Sequence, residues 1–297
     1  MSVPDVFILG FTKCATTSLY NQLMQHPDVS KTKRKEPHFH FAKVMGNHFA
    51  GPADNDTVSQ MFVTDESQYQ SLYEPGKLSI DGSAMSIEHP GVLQHINAQF
   101  PSAKYIIMLR DPIERAFSAY AHLVRDARET LSFREAVEQE LAGARDRYLP
   151  IWRNLQSSRF VEATQYARQL LGDRLMVVSY RDYAKDNQRV MDVVAGFIGL
   201  CSITWQQDFA NRSGVPHSKV LQKVLMRKSF AKSLFVAAFP EKFVTSMKRA
   251  LMERNTGKKP ELSNEDRAYF LQLLNDEKSK ILPNTPDTQL LSALYQQ

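Results

Sequence analysis

Apolar residues occur along this chain in two spacings, and the two spacings alternate. Runs of consecutive apolar residues predict strands at VFILG (6–10), KYIIMLR (104–110) and RLMVVSY (174–180), with a weaker strand at KLSID (77–81). The five consecutive apolar residues of KYIIMLR suit a strand that is covered on both faces. Segments with helical spacing separate these runs, so the pattern predicts an α/β fold with a mostly parallel sheet flanked by helices.

Helix ends are marked by residues that favour them. Four helices are predicted at about 16–26, 88–99, 158–172 and 186–199. A fifth helix is predicted to begin after Asp111, which can cap it, with Pro112 at the first helical position, where proline is tolerated.

Length and composition predict a single domain over residues 1–297. The chain is 43% hydrophobic with a mean hydropathy of −0.38, enough for one large core, and it contains no repeats. The segment 42–76 is the least regular part, which favours an insertion or a substrate-facing loop. We expect 216–297 to be mainly helical.

Cysteine usage and apolar run length indicate a cytoplasmic protein. No apolar run approaches the ~18 residues of a membrane span, and the first strand follows the start within a few residues, without a basic leader. Cys14 and Cys201 have neither metal-ligand spacing nor a disulfide framework.

The net charge of +5 suggests anionic partners, although such an excess is also common on ordinary soluble proteins. Basic residues are concentrated in KTKRKE (31–36) and in MKRALMERNTGKKP (247–260), where solvated loops explain them equally well. No pattern typical of nucleic-acid binding occurs.

FILGFTKCATTSLYNQL (7–23) resembles a phosphate loop whose lysine has moved. The template GxxxxGK[ST] is met at Gly10 and Thr17, but Lys13 lies inside the loop instead of at the position of Thr16. A strand, a turn and a helix start would direct the backbone N–H groups of 13–18 at one point, where the helix dipole adds about half a positive charge. An anion site is one interpretation, and an ordinary capped helix with a solvated lysine is the other.

LRDPIERAFSAY (109–120) places a second set of donors at a strand end. Arg110 lies at the carboxyl end of the clearest strand, where open α/β sheets bind ligands. Ser118 follows Asp111 by about two helical turns, so Arg110 and Ser118 can converge on one phosphate. Arg115 shares that face, or else pairs with Asp111 along the helix.

KRKEPHFH (33–40) offers a candidate general base. Pro37 makes Glu36 extended, and either Glu36 or His38 could take a proton from an acceptor hydroxyl or amine. Taken alone, a glutamate in a charged loop more often faces solvent.

At these three motifs the chain resembles the PAPS-dependent sulfotransferase family, especially the branch with the heparan sulfate sulfotransferases and many bacterial homologues. PAPS is 3′-phosphoadenosine-5′-phosphosulfate, and PAP is the product left after transfer. The family motifs K-x-G-T-T-[SA]-L, H-P-[DE], K-E-P-H-F-F and LRDPxxRxxSxY are matched, in this order, at 13–19, 26–28, 35–40 and 109–120.

The resemblance implies a site without metal. Lys13 and the backbone of 16–18 would bind the 5′-phosphosulfate, Arg110 and Ser118 the 3′-phosphate, and Glu36 would be the base, with His38 as its substitute. The cofactor-binding residues that the match implies are Lys13, Cys14, Ala15, Thr16, Thr17, Ser18, Arg110 and Ser118, with Lys258 and Lys259 as weaker candidates in a loop that closes over the cofactor.

Four positions depart from the family pattern. Ala15 replaces a glycine, so its backbone must avoid positive φ or be strained. Gly82 stands where the heparan sulfate branch has a catalytic lysine, which leaves open what compensates. His40 replaces an aromatic residue and Phe160 a common tyrosine, changes expected to alter the acceptor pocket.

The expected function is transfer of a sulfuryl group from PAPS to a hydroxyl or amine of a sugar, lipid or small metabolite. A non-catalytic nucleotide-binding protein and a P-loop kinase are the alternatives, but the kinase lacks both the Walker lysine and a clear magnesium aspartate. The acceptor, O- versus N-sulfation and the oligomeric state are open.

Overall fold

The computed structural model describes residues 4–32, 34–207 and 261–295. Within this part of the chain four strands form one sheet in the order β2-β1-β3-β4, and every neighbouring pair is parallel. The strands are β1 (Val6–Gly10), β2 (Ile80–Asp81), β3 (Lys104–Leu109) and β4 (Leu175–Ser179). All four predicted strands are confirmed, and the weakest in sequence, β2, has two residues.

Helices connect and cover these strands, as predicted. Those of the first half are α1 (Thr16–Leu23), α2 (Phe39–Met45), α3 (Asp54–Met61), α4 (Glu66–Gln70), α5 (Pro90–Gln99) and α6 (Pro112–Arg125). Those of the second half are α7 (Phe133–Leu141), α8 (Phe160–Leu171), α9 (Tyr180–Lys185), α10 (Asn187–Ile198), α11 (Asn264–Leu273) and α12 (Thr288–Leu294). Short 3₁₀ turns lie at Ser86–Glu88, Pro150–Trp152, Gln156–Ser158, Gly172–Arg174 and Lys278–Lys280.

The two central strands form the centre of the core because helices cover both of their faces. All residues of β1 are buried, as are all of β3 except the half-buried Lys104. Phe7 stacks on Tyr105 across the strand pair, with ring centroids 5.8 Å apart. The buried apolar runs are therefore central strands, as their lack of alternation predicts.

Parallel pairing brings the carboxyl ends of the strands to one edge of the sheet. Phe7 pairs with Tyr105, and Leu109 pairs with Ser179. The loop after β1 and the start of α6 therefore lie side by side. At that start the Asp111 carboxylate accepts the N–H of Glu114 at 2.7 Å, a cap that contributes about 1 kcal/mol.

The segment 42–76 is more regular than the sequence suggests, because it contains the end of α2 and all of α3 and α4. Its anchor is Asp54, whose buried carboxylate accepts the N–H groups of Gly51 at 3.1 Å and Leu149 at 2.9 Å and the indole N–H of Trp152 at 2.9 Å. Arg128 completes this set through an ion pair. The segment is thereby fixed against the chain around Leu149.

The C-terminal helices pack back onto the domain. The Tyr295 hydroxyl donates to the Ser158 carbonyl at 2.7 Å and accepts the N–H of Phe160 at 2.9 Å. Arg168 forms an ion pair with Asp287 at 2.9 Å. Within 261–295 the expected helical character holds for α11, α12 and the 3₁₀ turn between them, with turns and loops in the remainder, while 216–260, including Lys258 and Lys259, lies outside the described residues. In the described chain we find no helix with the length and apolar character needed to cross a membrane.

Candidate active site

A cavity of about 440 Å³ lies at the edge of the sheet where the strands end, and its volume is within the usual range for a small-molecule site. The predicted site residues on its wall are Lys13, Ala15, Thr16, Thr17, Ser18, Glu36, His38, Arg110 and Ser118. Further polar wall residues are Thr12, Thr57, His122, Arg128, Tyr180, Tyr183 and Gln207. Three motifs that are far apart in sequence thus meet at one cavity.

The loop after β1 holds two non-glycine residues in the left-handed region. Lys13 and Ala15 both have φ of 68°. Ala15 therefore does not avoid positive φ, and the strained alternative applies, at a cost of roughly 1–2 kcal/mol for an L-residue. Thr16 and Thr17 begin α1, where backbone N–H groups have no intrahelical acceptor.

Not all N–H groups of the loop face the cavity. The N–H of Cys14 donates to the Phe11 carbonyl at 3.2 Å, and that of Ser18 donates to the Ala15 carbonyl at 3.0 Å. The Cys14 thiol is buried in the core, away from the described cavity wall, and burial raises its pKa to about 12. Cys14 thus serves the loop through its backbone and its packing.

Lys13 presents a cation to the cavity in a poorly solvated place. Burial, and then the nearby charge of Arg125, lower its pKa from the ordinary 10.5 to about 8, against an opposing effect of Asp126. A buried ammonium whose pKa is lowered gains stability when an anion arrives. The position suits a phosphate or sulfate group.

Arg115 supports the loop after β1 through hydrogen bonds to Thr12 and does not line the cavity. Its side chain is 0% exposed, and its guanidinium donates to the Thr12 carbonyl at 3.1 Å, the Thr12 hydroxyl at 2.7 Å and the Arg153 carbonyl at 3.0 Å. The Thr12 hydroxyl in turn donates to Glu88 at 2.8 Å. Both sequence interpretations of Arg115, a shared ligand face and a pair with Asp111, are wrong, because helix spacing alone does not show which face is buried.

Arg110 and Ser118 reach the same cavity from the end of β3 and from α6. Arg110 forms an ion pair with Glu114 at 2.8 Å and lies over the ring of Tyr180, 4.9 Å from its centroid. These contacts orient a planar donor fork at the strand end. A phosphate placed between Arg110 and Ser118 would find donors on two sides.

Glu36 also lines the cavity and has two charged or polar neighbours. Its side chain is 23% exposed, contacts Lys35 and lies 3.3 Å from Nε2 of His38. Burial alone would raise the pKa of Glu36, but the charge of Lys35 and the hydrogen bond from His38 outweigh it and lower this pKa to about 2. Glu36 is therefore a carboxylate at neutral pH.

Two cavity residues of the helix α6 and the following turn escaped the sequence analysis. Burial, and then the charge of Lys13, lower the pKa of His122 to about 3, so His122 is neutral. Arg128 contacts Asp54 and donates to the Pro52 carbonyl at 2.9 Å. His122 follows Ser118 by four residues, so helical spacing places both on one face of α6, whereas Arg128 lies beyond the end of α6 and has no such signal.

The two residues that depart from the family pattern at aromatic positions, Phe160 and His40, lie in the core. Phe160 packs edge-to-face on Phe11, with ring centroids 4.7 Å apart, and His40 is buried among Phe7, Phe39 and Tyr69. Neither belongs to the cavity wall that the described residues form. The expectation that both alter the acceptor pocket is therefore not supported by their positions.

Comparison with known proteins agrees with this architecture. Residues 4–205 match the Sulfotransferase family, and since this is more than half of the 297 residues, the chain belongs to that family. Carbohydrate sulfotransferase 15 of Mus musculus is 30% identical over 171 residues, which are 47% of this chain and 30% of that protein. Bifunctional heparan sulfate N-deacetylase/N-sulfotransferase 1 of Caenorhabditis elegans is 24% identical over 124 residues, 41% of this chain and 13% of that protein. The chain thus spans under a third of either relative.

Solved structures show the same fold. A sulfotransferase from Alicyclobacillus acidocaldarius is similar with a TM-score of 0.65 and 28% identity, covering 86% of this chain and 96% of that one. A mouse sulfotransferase in complex with PAP has a TM-score of 0.53 at 12% identity, covering 99% of this chain and 90% of that one. The predicted α/β fold and the resemblance to sulfotransferases are both confirmed.

Proposed function

We propose that this protein transfers a sulfuryl group from PAPS to a hydroxyl or amine of an acceptor. The observation that carries the proposal is the meeting of Lys13, the start of α1, Arg110, Ser118 and Glu36 at one cavity. Membership of the sulfotransferase family supports it.

The donor set fits a nucleotide with two anionic ends. Lys13 and the hydroxyl and N–H groups of Thr16 and Thr17 would hold the 5′-phosphosulfate, while Arg110 and Ser118 would hold the 3′-phosphate. Bound there, PAPS supplies a sulfuryl group on a phosphate leaving group. Lys258 and Lys259 stay predicted contacts, since they lie outside the described residues.

Glu36 is the proposed general base. Its low pKa keeps it ionised, so it can accept the proton of a hydroxyl or amine as the new bond to sulfur forms. A pKa of about 2 also makes it a weak base, so proton transfer depends on the rise in acidity of the acceptor as its bond to sulfur forms. His38, 3.3 Å from the carboxylate, orients it and is the alternative base.

Lys13 stabilises charge that develops on the leaving phosphate. The sulfuryl group carries less negative charge than a terminal phosphoryl group, so one ammonium and the N–H groups at the start of α1 suffice in this proposal without a metal. Loss of a donor of this kind typically lowers kcat by about 10²–10³-fold.

The acceptor is proposed to enter past segment 42–76. Thr57, Met61 and Phe62 bring this segment to the cavity wall, which Leu149 and Ile151 also line. The names of the two relatives above point to carbohydrates, so a saccharide hydroxyl or amine is the first acceptor to test, with lipids and small metabolites after it. We keep the cytoplasm as the predicted location and one domain as the predicted organisation.

A transfer assay separates this function from its alternatives. Purified protein is incubated with ³⁵S-labelled PAPS and a panel of saccharide, lipid and small-molecule acceptors, with Glu36→Gln as the base variant. We expect label transfer by the wild type and a loss of about 10²-fold or more in Glu36→Gln, with PAP binding retained. Binding of PAP without any transfer would favour the non-catalytic alternative, and magnesium-dependent stabilisation by ATP alone would favour the kinase.

A further inference from the structure

Lys35 contacts both the start of α1 and the Glu36 carboxylate. Its Nζ lies 3.0 Å from the Thr17 hydroxyl and 3.4 Å from the Thr16 hydroxyl, and it also contacts the Glu36 carboxylate. Its side chain is 16% exposed. Of the two explanations left open for the basic run 31–36, solvated loop charge does not apply to Lys35.

The stem of Lys35 fills space next to Gly82. A Cβ atom at position 82 would lie 3.0 Å from Cγ of Lys35, 3.1 Å from the Lys35 carbonyl oxygen and 3.1 Å from Cδ2 of Tyr20. The Gly82 N–H also donates to the Lys35 carbonyl at 3.0 Å. A side chain at position 82 and the Lys35 stem would thus compete for one volume.

The charged groups around Glu36 come from two segments of the chain. Lys35 and His38 flank it within its own segment, and Lys13 acts on it from the loop after β1. Lys35 is the one of these three that also contacts the hydroxyls at the start of α1. It can therefore hold the carboxylate at a fixed place relative to the phosphate loop.

We propose that Lys35 is a positioning residue that ties the base Glu36 to the phosphate loop, in the space that a larger residue at position 82 would occupy. The proposal rests on the sulfotransferase function proposed above. It also offers an answer to the departure at Gly82, since the cation reaches the site from the neighbouring segment.

The arrangement couples proton transfer to the loop. As the Glu36 carboxylate takes the acceptor proton, it loses its negative charge, and its ion pair with Lys35 weakens. The Lys35 ammonium is then free to act more strongly on the side of Thr16 and Thr17, where negative charge develops. A lysine that only packed against Gly82 would have no such effect.

The first test is the pKa of Glu36, measured by NMR of protein labelled at the glutamate side-chain carboxyl carbons, with Glu36→Gln for assignment. In Lys35→Met, which keeps the stem and removes the charge, the lowering effect of Lys35 is lost and the pKa of Glu36 rises from about 2. Lys77→Ala, which removes a surface lysine paired with Glu74 at 3.0 Å, is the control and leaves it unchanged. An unchanged Glu36 pKa in Lys35→Met overturns the proposal.

The second test is kinetic, at saturating PAPS. We expect Lys35→Met to lower kcat by about 10²-fold, to move the acid limb of the kcat profile to higher pH, and to leave PAP binding within a few-fold. Wild-type kcat with a raised Glu36 pKa would overturn the catalytic part. If the wild type transfers to no acceptor, the proposed function fails, and the NMR titration still decides whether Lys35 holds Glu36.

Exchange of the two positions tests the shared volume. Gly82→Lys alone is expected to lower the melting temperature, because its stem meets that of Lys35. In Lys35→Ala the contact with Cγ is absent while the two contacts at 3.1 Å remain, so we expect the lysine at position 82 to recover about 10-fold of the lost kcat at a cost in melting temperature. A double variant no more active than Lys35→Ala would refute the shared position.

Discussion

The lowered pKa of Lys13 predicts that nucleotide binding depends on pH in the opposite direction from the stability of the free protein. Burial, followed by the charge of Arg125, lowers this pKa from 10.5 to about 8. An anionic phosphate beside the ammonium would return it towards the ordinary value. PAP binding at pH 8 should therefore take up about half a proton, since Lys13 is half ionised in the free protein.

The magnitude follows from linkage. With a pKa of about 8 in the free protein and near 10.5 in the complex, PAP affinity falls about 10-fold between pH 7 and pH 9, or ~1.4 kcal/mol. The stability of the free protein changes with pH in the opposite direction. Because the folded pKa lies below the unfolded one, the charged lysine destabilises the fold below pH 8, and this cost is relieved as pH rises, by a similar ~1.4 kcal/mol over the same range.

Isothermal titration calorimetry in buffers of different ionisation enthalpy measures both the affinity and the proton uptake, and urea unfolding of the free protein measures the stability. Lys13→Arg is the matched control, since a guanidinium stays charged throughout this range, so its binding should not show the Lys13 part of the pH dependence. If PAP affinity changes equally little with pH in the wild type and in Lys13→Arg, and PAP binding takes up no proton, the assignment of Lys13 to the anion site is refuted.

Three further predictions concern the loop and its supports. Arg115→Met should lower the free energy of unfolding by about 3 kcal/mol or more, because it leaves the Thr12 and Arg153 carbonyls without their donor. Thermal unfolding measures this loss, with Arg189→Met as an exposed control. An unchanged melting temperature would contradict the supporting role. Ala15→Gly should stabilise the protein by roughly 0.5–1 kcal/mol, because glycine adopts the positive φ of position 15 without strain. Ala42→Gly inside α2 should destabilise the protein by about 1 kcal/mol. Denaturation curves that shift in the same direction for both variants would argue against the left-handed loop. Arg110→Met should weaken PAP by about 1.5–3 kcal/mol and leave 5′-AMP, which lacks the 3′-phosphate, nearly unaffected; equal losses for both ligands in calorimetry would remove Arg110 from the 3′-phosphate.

The fold could be predicted from sequence wherever burial leaves a periodic pattern. The runs that became β1 and β3 have no polar alternation, and the prediction of central strands follows directly. The helices of segment 42–76 were not predicted because they are short and are fixed by Asp54. The partners of Asp54 lie near Leu149, about a hundred residues away. Contacts over such distances leave no local signal.

The candidate site divides in the same way. Lys13, Glu36 and Arg110 could be found because they lie in loops or at a strand end within recognisable motifs, and Ser118 because helical spacing places it near Arg110. The role of Lys35 could not, since it depends on the closeness of Gly82, which only the folded chain shows. Sequence could locate the charges but could not say which of them face a ligand and which face the protein.

The buried guanidinium of Arg115 limits how far this site can be transplanted. The loop after β1 rests on Thr12, and Thr12 is held by Arg115 and Glu88, which come from different parts of the chain. A graft of residues 10–18, Glu36, Arg110 and Ser118 into another α/β protein would carry the proposed ligand-facing groups and none of these supports. The smallest portable unit therefore includes the 3₁₀ turn that holds Glu88, the first two turns of α6, and the carbonyls of Arg153 and Asn154 that occupy the other side of the guanidinium.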